Sequence, residues 1–322
     1  MTKARAIKLA AVLVGLALLG AGLYREAVRP ASFDAQPPGI MNTQTHLTVT
    51  ARTMDAALAR EALGRAEQEL RDLELKMSVT IPLSELSRLN RAKVGEPVPL
   101  SPQVLEVLRA ARTLTQQTRN TFDPTCGPLF DLWKQAGLRK RAPTREEVKQ
   151  ALDHCGWKHW AIEEEGARRL DEGAAIGLGG IGKGYAVDRA VDVLRGPGIV
   201  SGLVDLGGHI RFFGRPPGGG PWRIDVRDPF DADKALCTLT MTAGGVCTSG
   251  NYERYIEIDG RRFNHVVDPR TGWPADLVPS ATVVAPAAIT CEGWTKCLSV
   301  LGPEGLRLIG PGTGIDALVI VG

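Results

Sequence analysis

His265 and Asp268 stand three residues apart, and Pro269, Arg270 and Gly272 follow, so one bend gathers an imidazole, a carboxylate and a guanidinium. A histidine so placed can serve as base or nucleophile. Upstream, Gly177-Leu178-Gly179-Gly180-Ile181-Gly182-Lys183-Gly184 offers a second kind of chemistry. Its glycines let the backbone approach a ligand, and a helix beginning near Lys183 presents free N–H groups and a positive dipole end to phosphate. The segment satisfies the dinucleotide pattern GxGxxG and, up to its last position, the P-loop GxxxxGK. It completes neither. Gly184 occupies the place of the Ser or Thr that would ligate magnesium, and the loop lies mid-chain instead of opening a βαβ unit. A pyrophosphate fits such a turn, with a ligand-free strand-to-helix connection as the alternative.

Three further segments gather polar or turn-forming groups. Thr121-Phe122-Asp123-Pro124-Thr125 packs turn formers around one carboxylate, and Gly207-Gly208-His209 follows a strand where close backbone approach is again open. Ser249-Gly250-Asn251-Tyr252-Glu253-Arg254 sets hydroxyl and amide groups before a strand, suited to an adenine or isoalloxazine edge. Each alone reads equally well as an ordinary loop.

The elements that must position these groups are legible in part. Leu58, Ala62, Ala66, Leu70, Leu73 and Met77 recur at helical spacing between 55 and 77. Ser101-Pro102 opens a second helix, and Thr144-Arg145-Glu146-Glu147 has the capping-box pattern of a third. Strands are expected at 45–50, 160–162, 203–206, 211–213, 222–226, 236–241, 254–258, 262–267, 280–284 and 317–321, with a turn at Asp259-Gly260 and a helix over 291–301. Strands outnumber helices and short turns join several, which predicts an α+β fold with substantial antiparallel sheet.

The chain has 322 residues and 43% hydrophobic content, enough to fill a real core. Its 39 Lys and Arg against 36 Asp and Glu, with no long basic block after the N-terminus, argue against nucleic acid as a partner. The N-terminus differs from the rest: Lys3, Arg5 and Lys8 precede an uncharged apolar run from Leu9 to Tyr24. As a helix this run covers roughly 24 Å, slightly short of the ~30 Å hydrocarbon core. It predicts a signal anchor or a cleavable signal peptide over 1–30, a linker to 40, and a folded domain over 41–322 outside the cytoplasm. Cys237 with Cys247, or Cys291 with Cys297, could pair there, and buried free thiols are the plainer expectation.

Taken together, the chemical segments resemble the ApbE family of FAD:protein FMN transferases. The resemblance begins at Met41-Asn42-Thr43 and runs through Met77-Ser78, Ser84 to Asn90, Phe122 to Thr125, the loop from Leu178, Gly207-Gly208, Ser249 to Arg254, and His265 to Gly272. It implies a helix-flanked α+β domain that binds FAD in a cleft and transfers FMN to a Ser or Thr hydroxyl, releasing AMP. By the same resemblance, Met41, Thr121, Phe122, Asp123, Gly177, Gly179, Lys183, Gly207, Gly208, Ser249, Asn251 and His265 would bind FAD. Lys183, His265 and Asp268 would do the chemistry. An acceptor protein at the inner membrane, exported or membrane-bound, would receive the FMN.

Several positions depart from the family pattern. Gly177 and His209 stand where the family commonly has Asp, and Lys296 stands at a hydroxyl ligand position four residues beyond an acid. Two readings follow. Either Glu292, Thr295 and the Gly180 carbonyl hold Mg2+, or the Lys296 ammonium itself neutralises the pyrophosphate. The departures also leave open hydrolysis of FAD by water and a FAD-binding maturation or scaffold protein without turnover.

Overall fold

A computed structural model describes residues 3–231, 233–250, 255–258, 260–276 and 278–321. Helix α1 (Lys3–Ala27) contains the apolar run, and its large apolar side chains from Val12 to Tyr24 are exposed. Among the described residues no helix is long and apolar enough to cross a membrane.

The expected linker is in part a strand. β1 (Pro30–Ala35) pairs antiparallel with β2 (Thr45–Arg52), Pro30 opposite Arg52 and Ala35 opposite Leu47. An edge strand tolerates Pro at its first position, which is why its composition resembles a loop. The folded unit therefore starts before residue 41. In α2 (Ala56–Met77) the residues Ala62, Ala66, Leu70, Leu73 and Met77 are buried as their spacing requires, while Leu58 faces solvent.

Next come α3 (Glu85–Arg91), β3 (Pro97–Pro99), α4 (Pro102–Gln117), α5 (Gly127–Arg139) and α6 (Arg145–Asp153). The capping box is complete: Glu147 N donates to Thr144 Oγ1 at 3.2 Å and Thr144 N to Glu147 Oε2 at 2.7 Å. At α4, Pro102 sits in the first turn as expected, but the Ser101 side chain makes no capping bond. β4 (Trp160–Ile162) and β5 (Gly166–Arg169) complete a small sheet of order β3-β5-β4.

The second half supplies α7 (Gly182–Leu194), β6 (Ile199–Leu206), β7 (His209–Phe213), β8 (Trp222–Arg227), β9 (Ala235–Met241), β10 (Gly244–Gly250), β11 (Tyr255–Ile258), β12 (Arg261–Asn264), β13 (Ser280–Ala285), α8 (Ala288–Leu301) and β14 (Asp316–Ile320). The main sheet has the order β1-β2-β6-β7-β10-β13-β14, with every pairing antiparallel. The α+β expectation holds. One face, with Leu47, Val49, Val204, Leu206 and Val283, packs under α2, α7 and α8. On the other, Phe212 and Val246 pack against Trp222 and Ile224 of the β8–β9 hairpin. Alternation along β6 and β7 sends neighbouring side chains to opposite layers.

Two departures matter for function. Expected strand 262–267 stops at Asn264, because Asn264 Oδ1 accepts from Val266 N at 3.0 Å and its Nδ2 donates to Ala275 O at 2.5 Å. The amide side chain replaces the ladder and bends the chain just before His265. Expected helix 291–301 begins three residues earlier, at Ala288. Its N-terminus is capped from α7, where the Asp188 carboxylate accepts from Ala288 N at 2.8 Å and Ile289 N at 3.0 Å. Arg254 and Asp259 of the expected hairpin lie outside the described residues. All six cysteines are free, and only Cys237 is exposed. Four of the five buried thiols lie in pairs, Cys126 beside Cys155 and Cys247 beside Cys291, neither being a pair suggested by spacing.

Candidate active site

The glycine segment folds as a tight 3-10 turn, Leu178–Gly180, leading directly into α7. Distant residues hold it in place. Asn90 Nδ2 donates to Ile176 O at 2.8 Å while Asn90 Oδ1 accepts from Ile176 N at 2.9 Å, so one side chain clamps the segment that leads into the turn. Gly177 N donates to Pro124 O at 2.8 Å, joining the turn to the 121–125 loop. Gly184 has a packing reason to be glycine. A Cβ there would lie 2.5 Å from Ala288 O, so the start of α7 touches the backbone of α8 where a P-loop would carry its hydroxyl.

These segments enclose a cavity of about 390 Å³. Thr121, Phe122 and Asp123 line it, with Gly177, Gly179, Gly180, Lys183, Gly207, Ser249 and His265. Of the other expected contacts, Met41 and Gly208 lie outside the lining, and Asn251 lies outside the described residues. Thr43 takes the place expected of Met41. It sits beside the β6–β7 turn, where Gly207 and Gly208 both have positive φ (+62° and +81°), the pattern of a two-residue type I′ hairpin. A Cβ on Gly207 would fall 2.1 Å from Thr43 Oγ1, so only glycine admits that approach. Asp123 Oδ1 accepts from Thr125 N at 2.9 Å and Thr125 Oγ1 at 2.6 Å, and burial pushes its carboxyl up despite both bonds.

The cavity floor is organised by a charge that does not line it. Glu292 on α8 is fully buried. Its Oε2 accepts from Gly184 N at 2.7 Å, while Oε1 lies 3.3 Å from Lys183 Nζ and 3.1 Å from His209 Nε2. Burial opposes ionisation, yet the Lys183 ammonium, the His209 ring and the Lys296 ammonium together hold this carboxyl far below the usual carboxylate range. Lys296, one turn further along α8, lines the cavity and reaches Ser249 Oγ on β10 at 3.1 Å.

In this arrangement the residues expected to hold magnesium have other partners. Both oxygens of Glu292 are engaged by donors or cations. Thr295 Oγ1 donates to Glu292 O at 2.7 Å inside its own helix and is fully buried. Among the described residues no group of three His, Cys, Asp or Glu side chains could hold a metal ion. Gly180 borders the cavity, but Glu292 and Thr295 do not join it there. The donor set does not fit a divalent cation.

On the opposite wall, the bend after β12 carries His265. Asp268, the other candidate base, is paired with Arg270. Arg270 donates from Nε to Asp268 Oδ1 at 3.0 Å and from Nη2 to Oδ2 at 2.8 Å, and Arg270 N also donates to Oδ1 at 2.9 Å. Gly272 N closes the turn onto Asp268 O at 2.8 Å, and Trp133 Nε1 of α5 donates to Gly272 O at 2.9 Å. Asp268 therefore shapes the bend while His265 faces the cavity.

The ApbE family model matches residues 41–319. The chain belongs to the ApbE family. Its similarity extends to curated proteins named FAD:protein FMN transferase. That of Klebsiella pneumoniae (strain 342) is 29% identical over 95% of this chain and 91% of its own length. That of Vibrio cholerae is 32% identical over 89% and 82%. Among solved structures, the ApbE protein of Thermotoga maritima superposes with a TM-score of 0.81 at 30% identity, covering 90% of this chain and 94% of that one. The flavin transferase ApbE from Vibrio cholerae gives 0.79 at 29%, covering 91% and 94%.

Within this ApbE fold, the lining residues that sequence reasoning left out of the binding set include Thr43, Phe130, His209 and Lys296. Thr43, His209 and Lys296 stood inside or beside the family segments, whereas Phe130 on α5 carried no chemical signal and enters only because that helix borders the cavity. Glu292 ionised and paired should be a main support of the site. Glu292→Gln is expected to lower unfolding free energy at pH 7 by about 3 kcal/mol, because it leaves Lys183 and His209 facing a neutral amide. A folded-state pKa held below the unfolded value of 4.5 contributes stability above that pH and loses it as pH falls further. Urea titrations from pH 7 downward should thus show a constant gap between the two proteins that narrows only below about pH 4.5. A gap that never narrows would mean that Glu292 is not the charged group.

Proposed function

We propose that this chain moves FMN from FAD to a Ser or Thr hydroxyl of an acceptor protein and releases AMP. The observation that carries the reading is the position of His265 on the wall between two cavities. One is the glycine-lined space; the other, about 300 Å³, is walled by Phe130, Trp133, Leu138 and Ile256. FAD suits the first, with its pyrophosphate at the start of α7, and an acceptor segment suits the second. The names of the related proteins support the same chemistry.

In this scheme the acceptor oxygen attacks the phosphorus on the flavin side, and His265 takes the hydroxyl proton. The bond from that phosphorus to the bridging oxygen breaks, and AMP leaves with the oxygen. Lys183 and the N–H groups opening α7 meet the charge that develops there. No step runs through magnesium. The test is to incubate the full chain with FAD and purified acceptor domains, then measure AMP release and flavin fluorescence that survives denaturation. His265→Ala should lower the transfer rate roughly 100-fold or more while FAD still binds. Free FMN formed without acceptor would favour hydrolysis instead, and bound FAD with no AMP release would favour a scaffold.

We also infer that α1, although not long and apolar enough among the described residues to cross a membrane, holds the chain at the inner membrane, with the site outside the cytoplasm beside exported or membrane redox proteins. Its exposed apolar side chains behind Lys3, Arg5 and Lys8 support this. After expression, the chain should stay with membranes through alkaline carbonate extraction. Release of the full-length chain into the soluble fraction would contradict anchoring.

A further inference from the structure

The disagreement between the expected magnesium ligands and the side chains that stand there has a consequence for how this chain handles a diphosphate. Where the family resemblance implies Asp, Asp and a hydroxyl ligand, this chain carries Gly177, His209 and Lys296. The acid on α8, Glu292, has its carboxylate engaged by Lys183, His209 and Gly184 N. Lys296 is not a surface lysine that happens to point inward. Its stem lies along the glycine turn, with Cγ 3.7 Å and Cε 3.8 Å from where a Cβ on Gly180 would be, and its ammonium reaches across to Ser249 on β10. Two ammonium groups, on α7 and α8, thus border the same turn. Against them stand two buried carboxyls, Glu292, whose oxygens are both engaged, and Asp123, whose Oδ1 accepts from Thr125 N and Oγ1. A divalent cation placed between these groups would be repelled, whereas a diphosphate would be attracted.

We propose that Lys296 is the built-in counter-charge for the pyrophosphate, so that this chain binds FAD without a divalent cation. The proposal rests on the reading that the glycine-lined cavity takes FAD. Lys296 acts as a compact point charge that contacts the ligand, and Lys183 shares that task while also neutralising Glu292.

The experiment is FAD binding to the full-length protein, read by flavin fluorescence, in EDTA and in millimolar Mg2+. The dissociation constants in the two conditions should agree within about twofold, a difference too small for a lost phosphate contact. Lys296→Met should weaken binding in EDTA by roughly tenfold or more, the loss of one charge-assisted contact, and Lys296→Arg should retain most of it. The pair Gly177→Asp with Lys296→Thr returns two oxygen donors, and a Cβ on Gly177 meets nothing within 4 Å, so the backbone accepts the change. Its FAD affinity should become Mg2+-dependent. Tenfold or greater tightening of the unaltered protein by Mg2+ would overturn the proposal and leave the FAD reading intact. So would wild-type affinity of Lys296→Met in EDTA. Absence of FAD binding in both conditions would overturn the reading of the cavity together with the proposal.

Discussion

Glu292 is the constraint around which the site is built. An ionised carboxylate without solvent contact costs several kcal/mol unless neighbours compensate it, and here compensation comes from two other elements. Lys183 and Gly184 N belong to the start of α7, His209 begins β7, and Glu292 itself lies in the second turn of α8. Moving any one of them strands a buried charge. The same contacts leave the Lys183 ammonium partly accessible at the cavity and leave Lys296, one turn on, at its edge. Stability and ligand binding are therefore linked through one residue that does not line the cavity.

The antiparallel sheet makes that meeting repeatable. The tight glycine turn from β6 to β7 sets His209 at the end of its strand, and pairing of Cys247 with His209 brings β10, and so Ser249, alongside. Across the helical layer, Asp188 caps α8 from α7 and fixes the relation of the two helices that carry Glu292 and Lys183. The opposite wall depends on a different device. Asn264, Asp268 and Trp133 hold the bend from 264 to 275 by side-chain bonds, so His265 is presented by a braced loop.

What could be read in the sequence was whatever local chemistry decides. The Thr144–Glu147 capping box, the buried stripe of α2 and the glycine turn before α7 all depend on near neighbours, and all were legible. β1 was not, because its pairing to β2 makes it a strand and its own composition resembles a linker. The Gly-rich β10 was missed for the same reason: β7 and β13 on either side supply its order. In the site, the family segments located the cavity but not the duties within it. The sequence does not show that Arg270 engages both oxygens of Asp268, nor that Lys183, His209 and Gly184 N surround Glu292.

These assignments converge on one location for the pyrophosphate, and a structure of the FAD complex tests it most directly. The diphosphate should lie at the Leu178–Gly180 turn, in contact with both Lys183 and Lys296, with the flavin-side phosphorus turned toward His265. A diphosphate bound away from both ammonium groups, or a flavin that leaves His265 remote from the phosphorus, would contradict this arrangement of the site.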